Sequence, residues 1–232
     1  MKARALEQQC GVRVEDNAAI ALGCEYVFLG VKPQMMQAVL ATIRPELESR
    51  QTPPVLVTMA AGLSMASICE MAGKEYPVVR IMPNTPASTG EGMTLCCKND
   101  AVSQKQMETV LDVLSGAGRT ELMDESLIDA GSAVSGCGPA YAYLFIEALA
   151  DGGVKCGLPR DKAVSLAAQT LLGAAKLVLE SGKHPGALKD EVCSPGGSTI
   201  AGVCALENRA FRASCMDAVS AAFERTKQLG KK

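Results

Sequence analysis

Strands alternating with helices over the first half of this 232-residue chain, followed by the loss of every strand pattern, restrict its fold more than any other feature. Residues 25–31 (EYVFLGV) form a continuous apolar run stopped by Lys32-Pro33, the pattern of a strand buried on both faces in a parallel sheet. Before that run, residues 2–10 read as a helical turn or two ending at Gly11, Val12-Arg13-Val14 as a short strand, and Asp16-Asn17 as a helix start. After it the pattern predicts a helix over about 34–44, a strand 55–60 opened by Pro53-Pro54, a helix 64–72 and a strand 77–82. A strand 93–97, a helix 103–117 and a strand 119–122 complete this half. Alternation of this kind predicts right-handed βαβ units in a doubly wound, Rossmann-type sheet.

From about Asp124 onward the chain reads as helices broken at Gly136–Pro139, Gly157–Pro159, His184–Gly186 and 194–199. The expectation is therefore α/β plus all-α, with a dinucleotide-type domain over 1–123 and an all-helical domain over 124–232. Helix 139–156 is apolar nearly all round, with Tyr141, Leu144, Phe145 and Leu149, and Glu147 and Asp151 are its lone acidic pair. Helix 160–181 spreads Val164, Leu166, Leu171, Leu172, Leu177 and Val178 around its circumference. Such helices require burial, and so small a domain offers little to cover them. A second copy of the chain is the expected cover.

Composition removes several classes of function. With 23 basic and 25 acidic residues, scattered along the chain, nothing favours nucleic acid or an anionic membrane. No segment reads as a signal peptide or a transmembrane span. The ten cysteines form no CxxC pair and fit small buried hydrophobes in a reducing cytoplasm. A single histidine, His184, supplies neither a metal site nor a Ser-His relay, so no metal is expected.

In doubly wound sheets ligands bind beyond the carboxyl ends of the strands, where Val31-Lys32-Pro33-Gln34 and the 82–87 segment (MPNTPA) fall. A second candidate lies in the helical half, at Asp190–Ile200. Pro195 stops the preceding helix, Gly196 and Gly197 let backbone N–H groups converge, and Ser198 or Thr199 is expected to cap a helix running to Glu207. The start of such a helix suits a carboxylate or phosphate. The same residues also describe an ordinary capped turn, and the two proline loops also describe plain strand terminators.

Six ordered segments, VKPQ at 31–34, MPNTPA at 82–87, SGCGPAYAY at 135–143, LADGGVKCGLPR at 149–160, HPGALKD at 184–190 and SPGGSTIAG at 194–202, resemble the pyrroline-5-carboxylate reductase family across the whole chain. The resemblance implies reduction of 1-pyrroline-5-carboxylate to L-proline by NADPH or NADH, the last step of proline synthesis. It also implies a cytoplasmic homodimer, or a larger homo-oligomer built from it. By the same resemblance Val31, Lys32 and Pro33 form the loop beside the nicotinamide and ribose, Asn17 lies nearby, and Ala61 and Asn84 line that crevice. Gly196, Gly197, Ser198 and Thr199 would hold the substrate carboxylate, with the Thr199 hydroxyl close to the imine nitrogen. Glu147 is either near that nitrogen or a buried carboxylate paired with Lys155 or a backbone donor.

The chain departs from the family pattern in having Cys137 where a serine is usual and Ser198 where a threonine is usual. No G-x-G-x-x-G occurs before Lys32, so the first strand, helix and second strand of a Rossmann half are expected to be missing and the start to be truncated or miscalled. An open edge at 26–31 and weak dinucleotide binding would follow. The alternative from another class is an inactive fragment or non-catalytic paralogue that keeps the helical dimer. A hydroxyacid dehydrogenase would use a lysine near the centre of the long interdomain helix, and Lys155 lies beyond it.

Overall fold

The computed structural model describes residues 2–229. Helices α1 (Lys2–Cys10) and α2 (Asn17–Gly23) precede strand β1 (Tyr26–Leu29). Then come α3 (Pro33–Ser49), β2 (Val55–Thr58), α4 (Met65–Ala72), β3 (Val78–Met82), a 3-10 turn (Thr85–Thr89), β4 (Gly92–Lys98), α5 (Gln104–Ser115) and β5 (Gly118–Leu122). The remainder is helical: α6 (Glu125–Ser135), α7 (Gly138–Lys155), α8 (Arg160–Ser181), α9 (Pro185–Val192), α10 (Ser198–Glu207) and α11 (Phe211–Leu229). The chain divides into two compact units. One reaches to Gly136 and takes in the last turns from Phe223, and the other is Cys137–Ala222. The first unit runs past the composition change near 123 because α6 packs against β3 and β4.

Local chemistry accounts for the helix starts. Asp16 accepts the Ala19 N–H at 2.8 Å, Ser64 accepts the Ser67 N–H at 3.1 Å, and Ser103 with Gln106 closes a capping box on α5. Helix α3 extends beyond the expected end, through Pro45 to Ser49. An interior proline costs about 3 kcal/mol, and burial of Leu40, Ile43 and Leu47 on either side of it offsets that.

The strands lie in sequence order, β1-β2-β3-β4-β5. Strands β1, β2 and β3 are parallel, β4 runs antiparallel to β3, and β5 is parallel to β4. Strand β4 stands outside the βαβ repeat, because the short connection 83–91 cannot make the crossover a parallel neighbour needs. Residues on alternate sides of the sheet build two cores. Val55, Val57, Val79 and Ile81 meet Met107 and Val110 of α5, whereas Leu56 and Val78 meet Leu40 of α3 and Ile68 of α4. The strand expected at Val12–Val14 is irregular and exposed, since no described ladder includes it. Strand β1 thus forms one edge of the sheet, with Phe28 42% exposed.

In the second unit, α7 and α8 pack through Ala150, Ala163 and Ala167, and a Cβ on Gly153 would lie 3.2 Å from the Ala163 Cβ. Phe145 and Phe211 stack at 5.4 Å, and the Tyr141 hydroxyl donates to the Ala218 carbonyl at 3.3 Å. Within a single chain Leu144, Leu166, Leu172, Leu177 and Leu179 of α7 and α8 are exposed, as expected of helices that one small domain cannot cover. By length and composition alone one helix among the described residues, α8 with its 22 residues, is apolar enough to cross a membrane, a test that core helices of proteins outside membranes pass as well.

Candidate functional site

Because β1, β2 and β3 are parallel neighbours, with Leu29 opposite Thr58 and Thr58 opposite Arg80, their carboxyl ends share one edge of the sheet. Val31 and Lys32 follow β1, Ala61 follows β2 and Asn84 follows β3, so the fold brings these sequence-predicted residues to that edge. Lys32 is the exposed N-cap of α3, and Pro33 occupies its first turn, where a missing N–H costs nothing. The Arg50 guanidinium, at the far end of α3, donates to the carbonyls of Ala21 (2.8 Å) and Cys24 (2.6 Å). The end of α2 therefore lies beside the end of α3, and Asn17 is the first residue of α2, directly after the Asp16 cap.

Asn84 uses both ends of its amide. Its Nδ2 donates to the Ser135 carbonyl at 2.9 Å, and its Oδ1 accepts the Met93 N–H at 3.0 Å. The side chain thus joins the loop after β3 to β4 and to the last turn of α6. Sequence reasoning missed a second device at the same edge. Arg80 of β3 is buried, its Nη2 lies 2.6 Å from Asp129 Oδ1 and its Nη1 3.6 Å from Glu125 Oε1. The one available signal was an arginine in the otherwise apolar run of residues 77–82.

The second unit holds the proline-glycine turn. Gly196 has φ +68°, and the Gly197 N–H donates to the Ser194 carbonyl at 3.0 Å. Gly197, extended at φ −77° and ψ 167°, is the N-cap of α10 with no side-chain capping bond, which corrects the expectation that Ser198 or Thr199 caps. A Cβ at 197 would lie 2.4 Å from Ser194 Oγ and 3.1 Å from the Ser194 carbonyl oxygen, so any other residue here requires the Ser194 side chain to turn aside. Ser198 and Thr199 are released from capping and stand exposed. Among the described hydrogen bonds none engages the N–H groups of Ser198, Thr199 and Ile200. Three open N–H groups at the positive end of a helix suit a carboxylate.

Glu147 is exposed on α7 and is absent from the described ion pairs, so the buried pairing with Lys155 is corrected. Its neighbour Asp151 instead meets Arg160 at 2.5 Å. Cys137 sits at the start of α7 without a capping bond, and burial, then the nearby Cys137, raises the Tyr141 pKa. Burial pushes the Cys96 and Cys97 thiols up to about 12 and about 11.

A Rossmann-like sheet domain followed by a helical domain is the class this architecture defines. The family model for pyrroline-5-carboxylate reductase dimerisation matches residues 125–229. The pyrroline-5-carboxylate reductase of Synechocystis is 44% identical over 228 residues, covering 98% of this chain and 84% of that protein. The Escherichia coli enzyme of the same name is 39% identical, covering 99% and 85%. Among solved structures, the Coxiella burnetii pyrroline-5-carboxylate reductase superposes with a TM-score of 0.91 at 33% identity, covering 100% of this chain and 86% of its own. The Plasmodium falciparum enzyme, solved with NADP bound, gives 0.85 at 38%, covering 94% and 81%. The chain belongs to the pyrroline-5-carboxylate reductase family.

Proposed function

We propose that this protein reduces 1-pyrroline-5-carboxylate to L-proline with NADPH or NADH as reductant. The observation that carries this reading is identity of 44% with a reductase of that name over 98% of the chain. The dinucleotide supplies the hydride when bound. At the carboxyl edge the open first turn of α3, the exposed Lys32 and the half-buried Val31, Pro33, Ala61 and Asn84 fit the nicotinamide end of such a molecule, with Asn17 beside them. Lys32 offers a cation to ribose or phosphate oxygens, and Asn84 holds its loop in place.

The turn at 194–199 takes the substrate carboxylate on the N–H groups of Ser198, Thr199 and Ile200, with Gly196 and Gly197 giving the backbone its shape. The Thr199 hydroxyl orients the ring nitrogen or passes it a proton. A protonated imine is already electrophilic, so positioning supplies most of the catalysis. Glu147, exposed in the single chain, is the second group proposed near the substrate. Residues 1–123 form the dinucleotide domain and 124–232 the substrate and dimerisation domain. Homodimerisation, alone or within a larger homo-oligomer, covers the apolar faces of α7 and α8. Ten free cysteines support a cytoplasmic setting.

The test is proline formation from pyrroline-5-carboxylate with NADPH or NADH. Cofactor is taken to about millimolar concentration, so that weak binding is not read as inactivity. Folded protein that forms no proline with either cofactor would overturn the reading and favour the non-catalytic alternative.

A further inference from the structure

Two carboxylates of α6 face the buried Arg80, and they do different work. Asp129 lies at hydrogen-bonding distance from the guanidinium, 2.6 Å, and is the charge partner that buried arginine requires. Glu125 is 3.6 Å from it, beyond hydrogen-bonding reach. Its short contact is elsewhere. The Met65 N–H, first of α4, donates to Glu125 Oε1 at 2.7 Å across 60 residues of sequence. Ser64 caps the Ser67 N–H from its own side chain, so two of the open donors of α4 are satisfied, one locally and one by α6.

The segment between Thr58 and Met65 carries Ala61, and both its ends are fixed. At the near end buried Thr58 accepts the Ala60 N–H at 3.3 Å, and at the far end Glu125 holds Met65. Few other bonds shape this loop; Leu63 N–H reaches the Ala60 carbonyl at 3.4 Å. We propose that Glu125 is a positioning residue for the dinucleotide crevice: with its charge balanced by Arg80, its carboxylate sets the start of α4 and thereby the loop that presents Ala61. This role depends on the functional reading above for its catalytic consequence, while its structural consequence stands apart from catalysis.

Three variants separate positioning from plain stability. Glu125→Ala removes the acceptor, Glu125→Gln keeps an oxygen acceptor without the charge, and Asp129→Asn weakens the Arg80 pair alone. Hydrogen exchange of the 59–65 peptide, thermal unfolding, and kcat with the KM for NADPH are measured on each. Loss of one charge-assisted bond should raise both the exchange rate of 59–65 and the KM for NADPH about tenfold in Glu125→Ala, with kcat within about twofold. Glu125→Gln should restore both, and Asp129→Asn should lower the unfolding temperature while leaving both in place. Should Glu125→Ala not fold, Met65→Pro removes the donor instead, at a first-turn position where proline is tolerated and Ser64 is already extended, and the same rise is expected. Unchanged exchange and KM in the variant lacking the bond, or equal changes in Asp129→Asn, would overturn the proposal. Protein that forms no proline yet shows the exchange pattern would count against the functional reading and not against the role of Glu125 in the loop.

Discussion

At the scale of single residues, the function proposed for Thr199 depends on Gly197 having taken over the N-cap. Thr199→Val should lower turnover by about 10- to 1,000-fold, since a hydroxyl placed for a developing amine is worth roughly 1.5–4 kcal/mol, and Ser198→Ala should do less. Kinetics unchanged in Thr199→Val would move the proton to Glu147 or to water. Gly197→Ala places a methyl 2.4 Å from Ser194 Oγ and 3.1 Å from the Ser194 carbonyl oxygen, so the Ser194 side chain must rotate away and the turn shift by a few tenths of an ångström. The KM for pyrroline-5-carboxylate should rise at least about tenfold while NADPH binding holds; equal losses for both ligands would contradict the assignment of the turn to substrate. Cys96 gives a pH effect whose sign is fixed. Its thiol, ordinarily near 9.0, is raised by burial to about 12, so above pH 9 the folded chain binds the proton that the unfolded chain releases. The stability it contributes is complete below pH 9 and is lost as pH rises toward 12. Urea midpoints should therefore fall less steeply over that range in Cys96→Ala than in the unaltered protein, and parallel slopes would show that another group titrates. The glycines of this turn were legible in the sequence because few other residues suit such a bend. The capping role assigned to Ser198 or Thr199 was wrong because a glycine with extended backbone can open a helix without a side-chain bond.

Among the elements, helices with clear caps matched their expected starts within a residue or two, as Ser64 and Ser103 show. The direction of β4 was not legible, since an apolar strand reads the same either way and only the short connection decides. Nor was the cluster of Arg80, Glu125 and Asp129, whose members are separated by 45 and 49 residues and meet only once α6 lies on the sheet. The β4–β5 pair is the element contact most sensitive to one methyl. Gly118 has φ +128°, and a Cβ there would lie 2.2 Å from the Gly92 carbonyl oxygen and 2.4 Å from its nitrogen. Both obstacles are backbone, so Gly118→Ala must separate the strands at their first pair. It should cost about 2–4 kcal/mol, read as a lower urea midpoint with a like slope, whereas Gly116→Ala, which meets nothing within 4 Å, should cost less than about 1 kcal/mol. Comparable losses for the two would mean that the close approach of β4 and β5 is not what stabilises this edge.

For the whole molecule, the second unit sets the requirement. Its own buried core is Ala150, Ala163 and Ala167, too little apolar surface to hold a domain of its length together. Yet its helices expose Leu144, Leu166, Leu172, Leu177, Leu179 and Met216, and a groove of about 550 Å³ between α7 and α11 is walled by Tyr141, Phe145, Phe211 and Val219. Six large side chains left in water at roughly 1.5–3 kcal/mol each amount to about 9–18 kcal/mol, comparable to the whole stability of a domain. The sequence had shown these helices to be apolar on every side; it could not show which sides meet within one chain, because Ala and Leu alternate without a polar face to orient them. A second copy bringing the same surfaces is the cover that costs no new chemistry, and symmetry then repeats every contact. Sedimentation at micromolar concentration should give a dimer or a multiple of it with no folded monomer. Leu172→Glu combined with Leu177→Glu should shift the protein toward unfolded or aggregated chains instead of toward a soluble monomer, because the small alanine core of the second unit is too little to hold it alone. A stable, folded monomer in either experiment would contradict the obligate pairing.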